Sequence, residues 1–353
     1  MKVAVVGTVG IPACYGGFES LVENITLNHS AGVDYTVFCS EHGYSEKLSK
    51  HNDAELIYLP LHANGVQSIF YDIASLIKCL YLKPDVTLVL GVSGCTFLPF
   101  YKLLSKSKVI TNIDGLEWRR DKWNWFARKF LKLSERLAVN FSDVVVSDNQ
   151  AITDYVFSEY GKTASTIAYG GDHALRQNAS FFDGNGSSSM YALALCRIEP
   201  ENNVEMILNA FSKSNTKIKF VGNWNSSDFG RNTRSKYSSF ENIELIDPIY
   251  DLDKLFELRS GCSFYVHGHS AGGTNPSLVE MMHFGLPIFA FDCSFNRFST
   301  EDRAFYFSSV EELVFLITDY PSDKYKCSGE FMKDIASKRY AWKIIAADYE
   351  RLY

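Results

Sequence analysis

The sequence lacks the features that would place it in several specialised classes of protein. Its eight cysteines include no C-x-x-C pair, and no segment stays apolar over the ~18 to 20 residues that a membrane-spanning helix requires. A formal net charge of −6 argues against binding of nucleic acid through the overall charge of the chain. No secretory leader precedes Met1-Lys2-Val3, so we expect a cytoplasmic protein with reduced, buried thiols.

What is present is a globular composition with many aromatic residues. Hydrophobic residues make up 46% of the chain and charged residues 22%, which excludes a mostly disordered or fibrous protein. The 353 residues are too many for one compact core and favour two domains of ~150 residues each. Aromatic side chains account for 14% of the chain, and three of the five tryptophans fall within residues 118–125.

Short β-branched runs alternate with helical patterns along the chain, which predicts parallel βαβ units in an α/β fold. We expect a first Rossmann-like domain over 1–172, a linker over 173–189, a second Rossmann-like domain over 190–322 and a helical segment over 323–353. The linker is rich in glycine, serine and asparagine, which sustain neither a helical nor a strand period. The predicted strands are Val3–Val6, Tyr35–Cys39, Leu56–Leu59, Val86–Leu90, Val109–Ile113, Val144–Ser147, Thr166–Tyr169, Tyr191–Leu195, Lys217–Val221, Ile243–Ile246, Phe264–Val266 and Pro287–Ala290.

A glycine-rich loop follows the first predicted strand and leads into a helix. It contains Gly16 and Gly17, and such a loop lets backbone N–H groups approach an anion or a sugar without a Cβ in the way. The spacing is not G-x-G-x-x-G and Pro12 removes a donor, so a nicotinamide dinucleotide site is disfavoured. The alternative is an ordinary tight turn between a strand and a helix.

Two further strand ends carry charged residues. Asp114 and Glu117 follow the strand at 109–113, and Arg197 follows the strand at 191–195. Ligands of open α/β sheets bind at the carboxyl ends of the strands, and arginine offers a charged fork for phosphate oxygens. A plain Asp-Gly turn and a solvated surface arginine are the alternatives.

The segment 267–280 is the most informative. Asn275 followed by proline fits the start of a helix over about 276–284, which places Gly272 and Gly273 just outside a helix N-terminus and forms an anion site suited to a diphosphate. Glu280 lies one turn into the helix, where its carboxylate can accept hydrogen bonds from two sugar hydroxyls. The alternative for Glu280 is a solvated helical glutamate.

Metal ligation is not expected from this sequence. His267 and His269 are two residues apart, which puts both on one face of a strand, but no further ligand has a suitable spacing. Asp251 and Asp253 resemble an Asp-x-Asp metal motif, although they open a helical run and capping explains them more simply.

A basic, aromatic segment runs from Trp118 to Arg136, with seven basic and two acidic residues. Basic heads on aromatic bodies suit an anionic bilayer surface, which makes Arg128, Lys129 and Lys132 candidates for membrane contact. The alternative is an ordinary crossover helix whose aromatic residues face the sheet.

Five motifs together resemble glycosyltransferase family 4, and most closely its branch of bacterial O-antigen and capsule rhamnosyltransferases. They are G-I-P-A-C-Y-G-G-F-E at 10–19, N-I-D-G-L-E-W-R-R at 112–120, Y-G-G-D-H at 169–173, C-R-I-E-P-E-N-N at 196–203 and G-G-T-N-P-S-L-V-E at 272–280. The resemblance implies a GT-B architecture, in which two Rossmann-like doubly wound domains face a cleft and a C-terminal helix crosses back to the first domain.

The resemblance also implies a retaining, metal-independent transfer from a nucleotide sugar, with no further cofactor. It assigns donor binding to Gly16, Gly17, Arg197, Gly272, Gly273, Thr274, Asn275 and Glu280, catalysis to Asp114, and the acceptor or membrane side to Tyr15, Glu117, Arg128, Lys129 and Lys132. In this assignment Arg197 and the 272–275 loop hold the diphosphate, and Glu280 holds the ribose.

Two departures from the wider family bear on the substrate. A lysine usually stands five residues after the arginine, where this chain has Asn202, and a glutamate usually stands eight residues before Glu280, where it has Gly272. Both look typical of the rhamnosyltransferase branch. A deoxysugar donor has fewer hydroxyls to hold.

The expected function is therefore transfer of L-rhamnose from dTDP-rhamnose to a lipid-linked oligosaccharide in surface polysaccharide biosynthesis, by an enzyme bound peripherally to the inner face of the cell membrane. The alternatives are another hexosyl donor carried on UDP or GDP, a nucleotide-sugar epimerase of the same architecture, and a non-enzymatic nucleotide-binding scaffold.

Overall fold

The chain divides into two compact units. The computed structural model describes residues 1–14, 16–113, 115–119, 123–176, 191–318 and 322–353, without the side chains of Glu117, Ser322 and Lys326. One unit comprises Met1–Tyr169 with Trp342–Tyr353, and the other comprises Gly170–Ala341. Among the described residues, no helix combines the length and the apolar character needed to cross a membrane.

The first unit is built on an eight-stranded sheet. Its strands are β1 (Lys2–Val6), β2 (Asp34–Ser40), β3 (Lys50–His51), β4 (Ala54–Leu59), β5 (Val86–Leu90), β6 (Lys108–Asn112), β7 (Val144–Ser147) and β8 (Ser165–Thr166). Its helices are α1 (Gly17–Leu27), α2 (Gln67–Leu82), α3 (Leu98–Leu104), α4 (Trp125–Phe141), α5 (Gln150–Tyr160) and α13 (Trp342–Glu350). The strand order is β3-β4-β2-β1-β5-β6-β7-β8, and every neighbouring pair is parallel except β3 and β4.

The second unit is built on a six-stranded, fully parallel sheet. Its strands are β9 (Tyr191–Leu195), β10 (Lys217–Val221), β11 (Ile243–Ile246), β12 (Phe264–His267), β13 (Ile288–Phe291) and β14 (Phe305–Phe307). Its helices are α6 (Val204–Ser212), α7 (Asp228–Tyr237), α8 (Leu252–Ser260), α9 (Pro276–Met282), α10 (Ser294–Thr300), α11 (Val310–Thr318) and α12 (Ser322–Arg339). The strand order is β11-β10-β9-β12-β13-β14.

Both sheets have buried, nearly continuous apolar strands, as parallel sheets covered by helices require. All five residues of β5 are buried. In the second unit Phe211 of α6, Phe220 of β10 and Trp224 are fully buried in one apolar core. Each such side chain contributes about 1.5–3 kcal/mol through burial, so the helices are held on the sheets chiefly by apolar contact.

Each sheet has a topological switch point, where the strand order reverses direction. In the first sheet it lies between β1 and β5, and in the second between β9 and β12. Diverging loops leave a crevice outside the carboxyl ends of such strands, and open α/β sheets bind ligands there. The loops that follow β1, β9 and β12 are those that carry the predicted donor-binding motifs.

The predicted elements differ from the observed ones mainly at their ends. The strand predicted at Thr166–Tyr169 is the short pair Ser165–Thr166, and the helix predicted over 276–284 ends at Met282. The prediction omitted β3 and β14, whose two and three residues are too few to show a period. The helical segment predicted over 323–353 divides between α12, which packs on α9 and β13, and α13, which packs on α1 in the first unit.

Candidate functional site

Arg197 lies in the loop that follows β9, at the switch point of the second sheet. Its side chain is partly exposed, and one guanidinium nitrogen lies 3.8 Å from a carboxylate oxygen of Glu199. An exposed ion pair at this distance contributes little stability, so exchanging Glu199 for an anionic ligand costs little. The position suits the phosphate-binding role predicted for Arg197.

Asn202 joins the two loops at this switch point. It is buried, its amide nitrogen donates to the Arg197 carbonyl at 2.7 Å, and its amide oxygen lies 2.6 Å from Nδ1 of His269. A Cβ on Gly268 would lie 2.2 Å from the Asn202 carbonyl oxygen, so the loops after β9 and β12 are in close contact. A lysine has no acceptor for the imidazole N–H, which explains physically why an amide occupies this position.

The loop between β12 and α9 contains Gly272, Gly273 and Thr274, and it ends at a well-formed helix cap. The Asn275 side chain accepts from the Ser277 backbone N–H at 3.0 Å, with proline as the first helical residue. Asn275 is therefore an N-cap, as predicted. Because β9 and β12 are neighbours, this loop and Arg197 lie at the same sheet edge.

Glu280 is nearly buried, with its side chain 13% exposed, so the solvated alternative for this residue is excluded. One carboxylate oxygen is paired with Arg259 of α8, and the other lies 3.3 Å from Nε2 of His173. Burial by itself raises the pKa of Glu280, but Arg259 and His173 outweigh it and hold the pKa below its ordinary value. The carboxylate stays ionised at neutral pH.

The carboxylate of Glu280 retains capacity for a ligand. A carboxylate offers about four lone-pair directions, and Arg259 and His173 occupy two of them. Sequence reasoning missed both partners, because they lie 21 and 107 residues away from Glu280 and share no motif with it. The preceding Gly171 lies against the backbone of Val279, which brings His173 up to α9.

His267, considered above only as a metal ligand, is a buried group at the end of β12. Its Nε2 atom has no hydrogen-bond partner among the described residues. Burial, together with the neighbouring His269, lowers the pKa of His267 well below its usual range, so the imidazole is neutral. Within the described part of the chain, no three histidine, cysteine or carboxylate side chains are grouped to hold a metal ion.

The glycine-rich loop after β1 is held by a buried carboxylate. Oε1 of Glu19 accepts from the Thr8 hydroxyl at 3.0 Å and from the Val9 N–H at 2.8 Å. Gly16 has φ 128°, and a Cβ there would lie 2.0 Å from Oε2 of Glu19. The loop is thus more than a tight turn, and Gly16 is required by both its conformation and its neighbour. Gly17 begins α1 beside the ring of Tyr169.

The residues predicted for the acceptor side are only partly described. Asp114 and Tyr15 lie outside the described residues, and of Glu117 only the backbone is described, in a short 3₁₀ turn over Glu117–Arg119. The roles predicted for these three residues therefore stay predictions.

Lys132 is engaged inside the first unit by a set of residues that we call the Glu135 cluster. The cluster comprises Trp118, Lys132, Glu135, Tyr155, Glu159 and Tyr160. The buried carboxylate of Glu135 accepts from the hydroxyls of Tyr155 at 2.7 Å and Tyr160 at 2.6 Å. Nζ of Lys132 bonds Tyr155, lies 3.4 Å from Glu135 and 3.0 Å from Glu159, and stands 4.6 Å from the centre of the Trp118 ring. Lys132 therefore stabilises the fold. The sequence had suggested that Lys132 contacts a membrane, but its ammonium group is engaged within the first unit.

Residues 1–172 match a protein family described as a domain of unknown function, DUF1972. No curated protein matches the chain at a significant level.

Several solved structures share its fold over nearly the whole length. Sucrose-phosphate synthase from Thermosynechococcus elongatus is 13% identical with a TM-score of 0.80, covering 100% of this chain and 98% of its own. Anabaena Alr3699/HepE in complex with UDP is 13% identical with a TM-score of 0.76, covering 99% of each chain. A Listeria monocytogenes protein assigned as a UDP-N-acetylglucosamine 2-epimerase is 14% identical with a TM-score of 0.64, covering 99% of this chain and 94% of its own. The chain thus has the GT-B fold, with two Rossmann-like α/β units each built on a mainly parallel sheet.

Proposed function

We propose that this protein is a glycosyltransferase of the GT-B type that uses a nucleotide-sugar donor. The proposal rests on the β9–β12 switch point, where Arg197 and the Gly272–Asn275 loop lie at the same edge of the sheet. Glu280, on the helix that follows this loop, is ionised and paired with Arg259. Crevices at such switch points bind nucleotides. HepE, one of the proteins with this fold, was solved in complex with UDP.

The roles of these residues follow from the chemistry of the transfer. As the bond between sugar and diphosphate breaks, negative charge grows on the leaving phosphate. Arg197 and the backbone N–H groups of the 272–275 loop stabilise that charge, and they are already held in place before the reaction. Glu280 accepts hydrogen bonds from the ribose hydroxyls. Gly16 and Gly17 at the transferred sugar, and Asp114 at the acceptor hydroxyl, keep the roles that the resemblance to family 4 assigns.

The finer part of the proposal is the substrate: L-rhamnose from dTDP-rhamnose, moved to a lipid-linked oligosaccharide by an enzyme bound at the inner face of the cell membrane. The two departures from the family pattern support it. Gly272 supplies no carboxylate for sugar hydroxyls, and position 202 is filled by a buried amide that holds two loops together. A deoxysugar needs fewer polar contacts than a fully hydroxylated hexose.

Donor binding is tested by thermal shift with dTDP-, UDP- and GDP-sugars. A donor at a hundredfold excess over its Kd should stabilise the protein by ~2.7 kcal/mol, and we expect dTDP-rhamnose to be the best stabiliser. Arg197→Gln should weaken this stabilisation, since it removes the charged fork. Arg231→Gln is the matched control, because Arg231 is also a partly exposed arginine paired with a carboxylate in the second unit. Equal responses of the two variants would contradict the role of Arg197.

Turnover is tested by incubating dTDP-rhamnose with a lipid-linked oligosaccharide extract and analysing the products. We expect a rhamnosylated lipid from the wild type and much slower transfer by Asp114→Asn, because the variant lacks a base for the acceptor hydroxyl. Near-normal turnover by Asp114→Asn would remove that role. A glycosylated lipid formed only from UDP- or GDP-sugars would retain the transferase and correct the donor.

A second candidate function is nucleotide-sugar epimerisation. It is favoured by the shared fold of the Listeria monocytogenes protein named above. An epimerase acts on the donor alone, so conversion of a nucleotide sugar in the absence of any acceptor would support it and contradict the transferase. Strong donor binding with no turnover under either condition would instead support a nucleotide-binding scaffold.

A further inference from the structure

Three neighbouring helices of the first unit expose large apolar side chains. We call this surface the α2–α4 face; its exposed apolar residues are Phe70, Ile77, Tyr81, Phe100, Leu103, Leu104, Trp125, Phe126 and Leu133. The short helix α3 packs against both α2 and α4, so these residues belong to adjacent elements. Leu103 is 82% exposed and Phe126 is 76% exposed. Single exposed apolar residues are common, but this many on adjacent helices indicate an interaction surface.

The exposed charges on the same three helices are all positive. Their only carboxylates are Asp72 and Glu135, which are 3% and 1% exposed and therefore lie inside the unit. Lys78, Lys129 and Arg136 are exposed. The α2–α4 face is thus apolar and basic on a chain whose net charge is −6.

The exposed side of α4 has the pattern of a helix that lies in a membrane interface. Phe126, Lys129, Leu133 and Arg136 follow one another at spacings of three or four residues, so apolar and basic side chains alternate along one stripe. Nζ of Lys129 lies 3.9 Å from the centre of the Trp125 ring. Trp125 and Phe126 are both exposed and so do not face the sheet, which was the alternative for this segment.

We propose that the α2–α4 face docks on the surface of an anionic lipid bilayer. Aromatic and leucine side chains enter the boundary between headgroups and acyl chains, while the lysines and arginine stay at the phosphates. A second copy of the chain fits this face less well. In a symmetric dimer the face would contact itself, so its cations would lie near one another, and these helices have no exposed carboxylate to pair with the cations. The proposal rests on the proposed function, whose lipid-linked acceptor lies at such a surface.

This surface differs from the one that the sequence indicated. Lys132 belongs to the Glu135 cluster, and Nε of Arg128 donates to the Trp123 carbonyl at 2.9 Å. Of the three cations predicted at the membrane, only Lys129 lies on the exposed stripe of α4. The docking surface instead extends over α3 and α2, which the sequence had not suggested.

The test is co-sedimentation of the full chain with vesicles, without any nucleotide sugar. Wild-type protein should bind vesicles of phosphatidylcholine and phosphatidylglycerol in equal parts, and should bind pure phosphatidylcholine much more weakly. The variant Phe100→Gln, Leu103→Gln, Leu104→Gln and the variant Lys129→Glu, Arg136→Glu should each weaken binding by about tenfold or more. These side chains are exposed, so thermal unfolding should be unchanged.

Phe315→Gln is the matched control, because Phe315 is an exposed phenylalanine on a helix of the second unit that also carries Glu311 and Glu312. It should bind vesicles like the wild type. Wild-type binding by both α2–α4 variants would overturn the proposal. A second result would also overturn it: light scattering shows that the wild type is a dimer, and the variants are monomers that still bind vesicles. The face would then be an interface between two copies of the chain.

The outcomes separate this proposal from the proposed function. Vesicle binding is measured without donor, and the thermal shift with nucleotide sugars is measured without lipid. A protein that binds vesicles but no nucleotide sugar would contradict the use of a nucleotide-sugar donor alone. One that binds donor but no vesicles would contradict membrane binding and leave the proposed transfer from a nucleotide sugar standing.

Discussion

At the scale of single residues, Glu280 combines a predicted binding role with a structural one. Its carboxylate and the guanidinium of Arg259 form an ion pair in which both side chains are largely buried. Removing one partner of such a pair leaves the other charge buried without compensation, which costs about 3–5 kcal/mol. Losing either partner alone therefore destabilises the protein whether or not a ribose is bound.

This pair predicts a pH-dependent stability. Because the pKa of Glu280 is lower in the folded protein than the ordinary value of 4.5, the carboxylate contributes stability above about pH 4.5 and loses it as the pH falls through the lowered pKa. We expect Glu280→Gln to destabilise the protein by about 3–5 kcal/mol at pH 7 in urea unfolding. That difference from the wild type should shrink as the pH falls below about 4.5, because the carboxyl group is protonated there in the unfolded chain and, at its lowered pKa, in the folded protein as well.

A double variant provides the control. Replacing the pair together, as Arg259→Met with Glu280→Met, removes both buried charges, so it should destabilise the protein less than the sum of the two single changes. If the Glu280→Gln penalty stayed constant from pH 7 down to pH 3, the ionised pair would not be its cause.

At the scale of elements, the Glu135 cluster links α4, α5 and the turn at 117–119. Glu135 comes from α4, Tyr155 and Tyr160 come from α5, and Trp118 comes from the turn. This turn follows Asp114 along the chain. The cluster thus holds the segment next to the predicted catalytic residue against two helices.

Lys132→Met should therefore destabilise the first unit and change the emission of Trp118. The variant keeps an apolar stem but leaves the buried Glu135 carboxylate without its cation, at a cost of about 2–4 kcal/mol. The emission change should be absent in a Trp118→Phe background, since Lys132 lies over that ring. Lys129→Met, one turn earlier and exposed on α4, is the control and should alter stability by about 0.5 kcal/mol or less. Equal effects of the two changes on stability would show that the cluster contributes nothing specific.

At the scale of the whole molecule, the first unit is completed by the end of the chain. The apolar side of α13 is buried, and the Asn112 amide donates to the hydroxyl of Tyr349 at 2.7 Å. The Tyr35 and Tyr353 hydroxyls lie 2.7 Å apart. Residues more than 200 positions apart in sequence are therefore needed to form one unit.

Ile345→Ala should reduce the stability of the first unit by about 2–5 kcal/mol, because it leaves a cavity at a buried position of α13. Hydrogen exchange should show lost protection in α1, on which α13 packs, and unchanged protection in the strands of the second unit. Lys343→Ala, on the exposed side of the same helix, is the control and should change neither measurement. Loss of protection confined to the second unit would contradict the assignment of α13 to the first.

Features that depend on short-range interactions could be predicted from the amino-acid sequence. The period of hydrophobic residues predicted the ends of most strands to within one or two residues of the observed ends. Local hydrogen bonding accounts for the helix caps at Asn275 and Asp251. The GT-B fold was implied by the resemblance of the five motifs to glycosyltransferase family 4, and not by the strand and helix pattern itself. These signals need only a few neighbouring residues.

Which of those residues act together depends on long-range packing, and no local pattern predicted it. Strand order put β9 beside β12, and so brought Arg197 to the same edge as the Gly272 loop. Long-range packing gave Glu280 its partner Arg259, moved Lys132 into the Glu135 cluster, and left Trp125 exposed. The partners and the exposure of a side chain depend on segments that are far away in sequence. The free energy that favours these contacts comes from the whole core, so no local sequence pattern encodes the contacts.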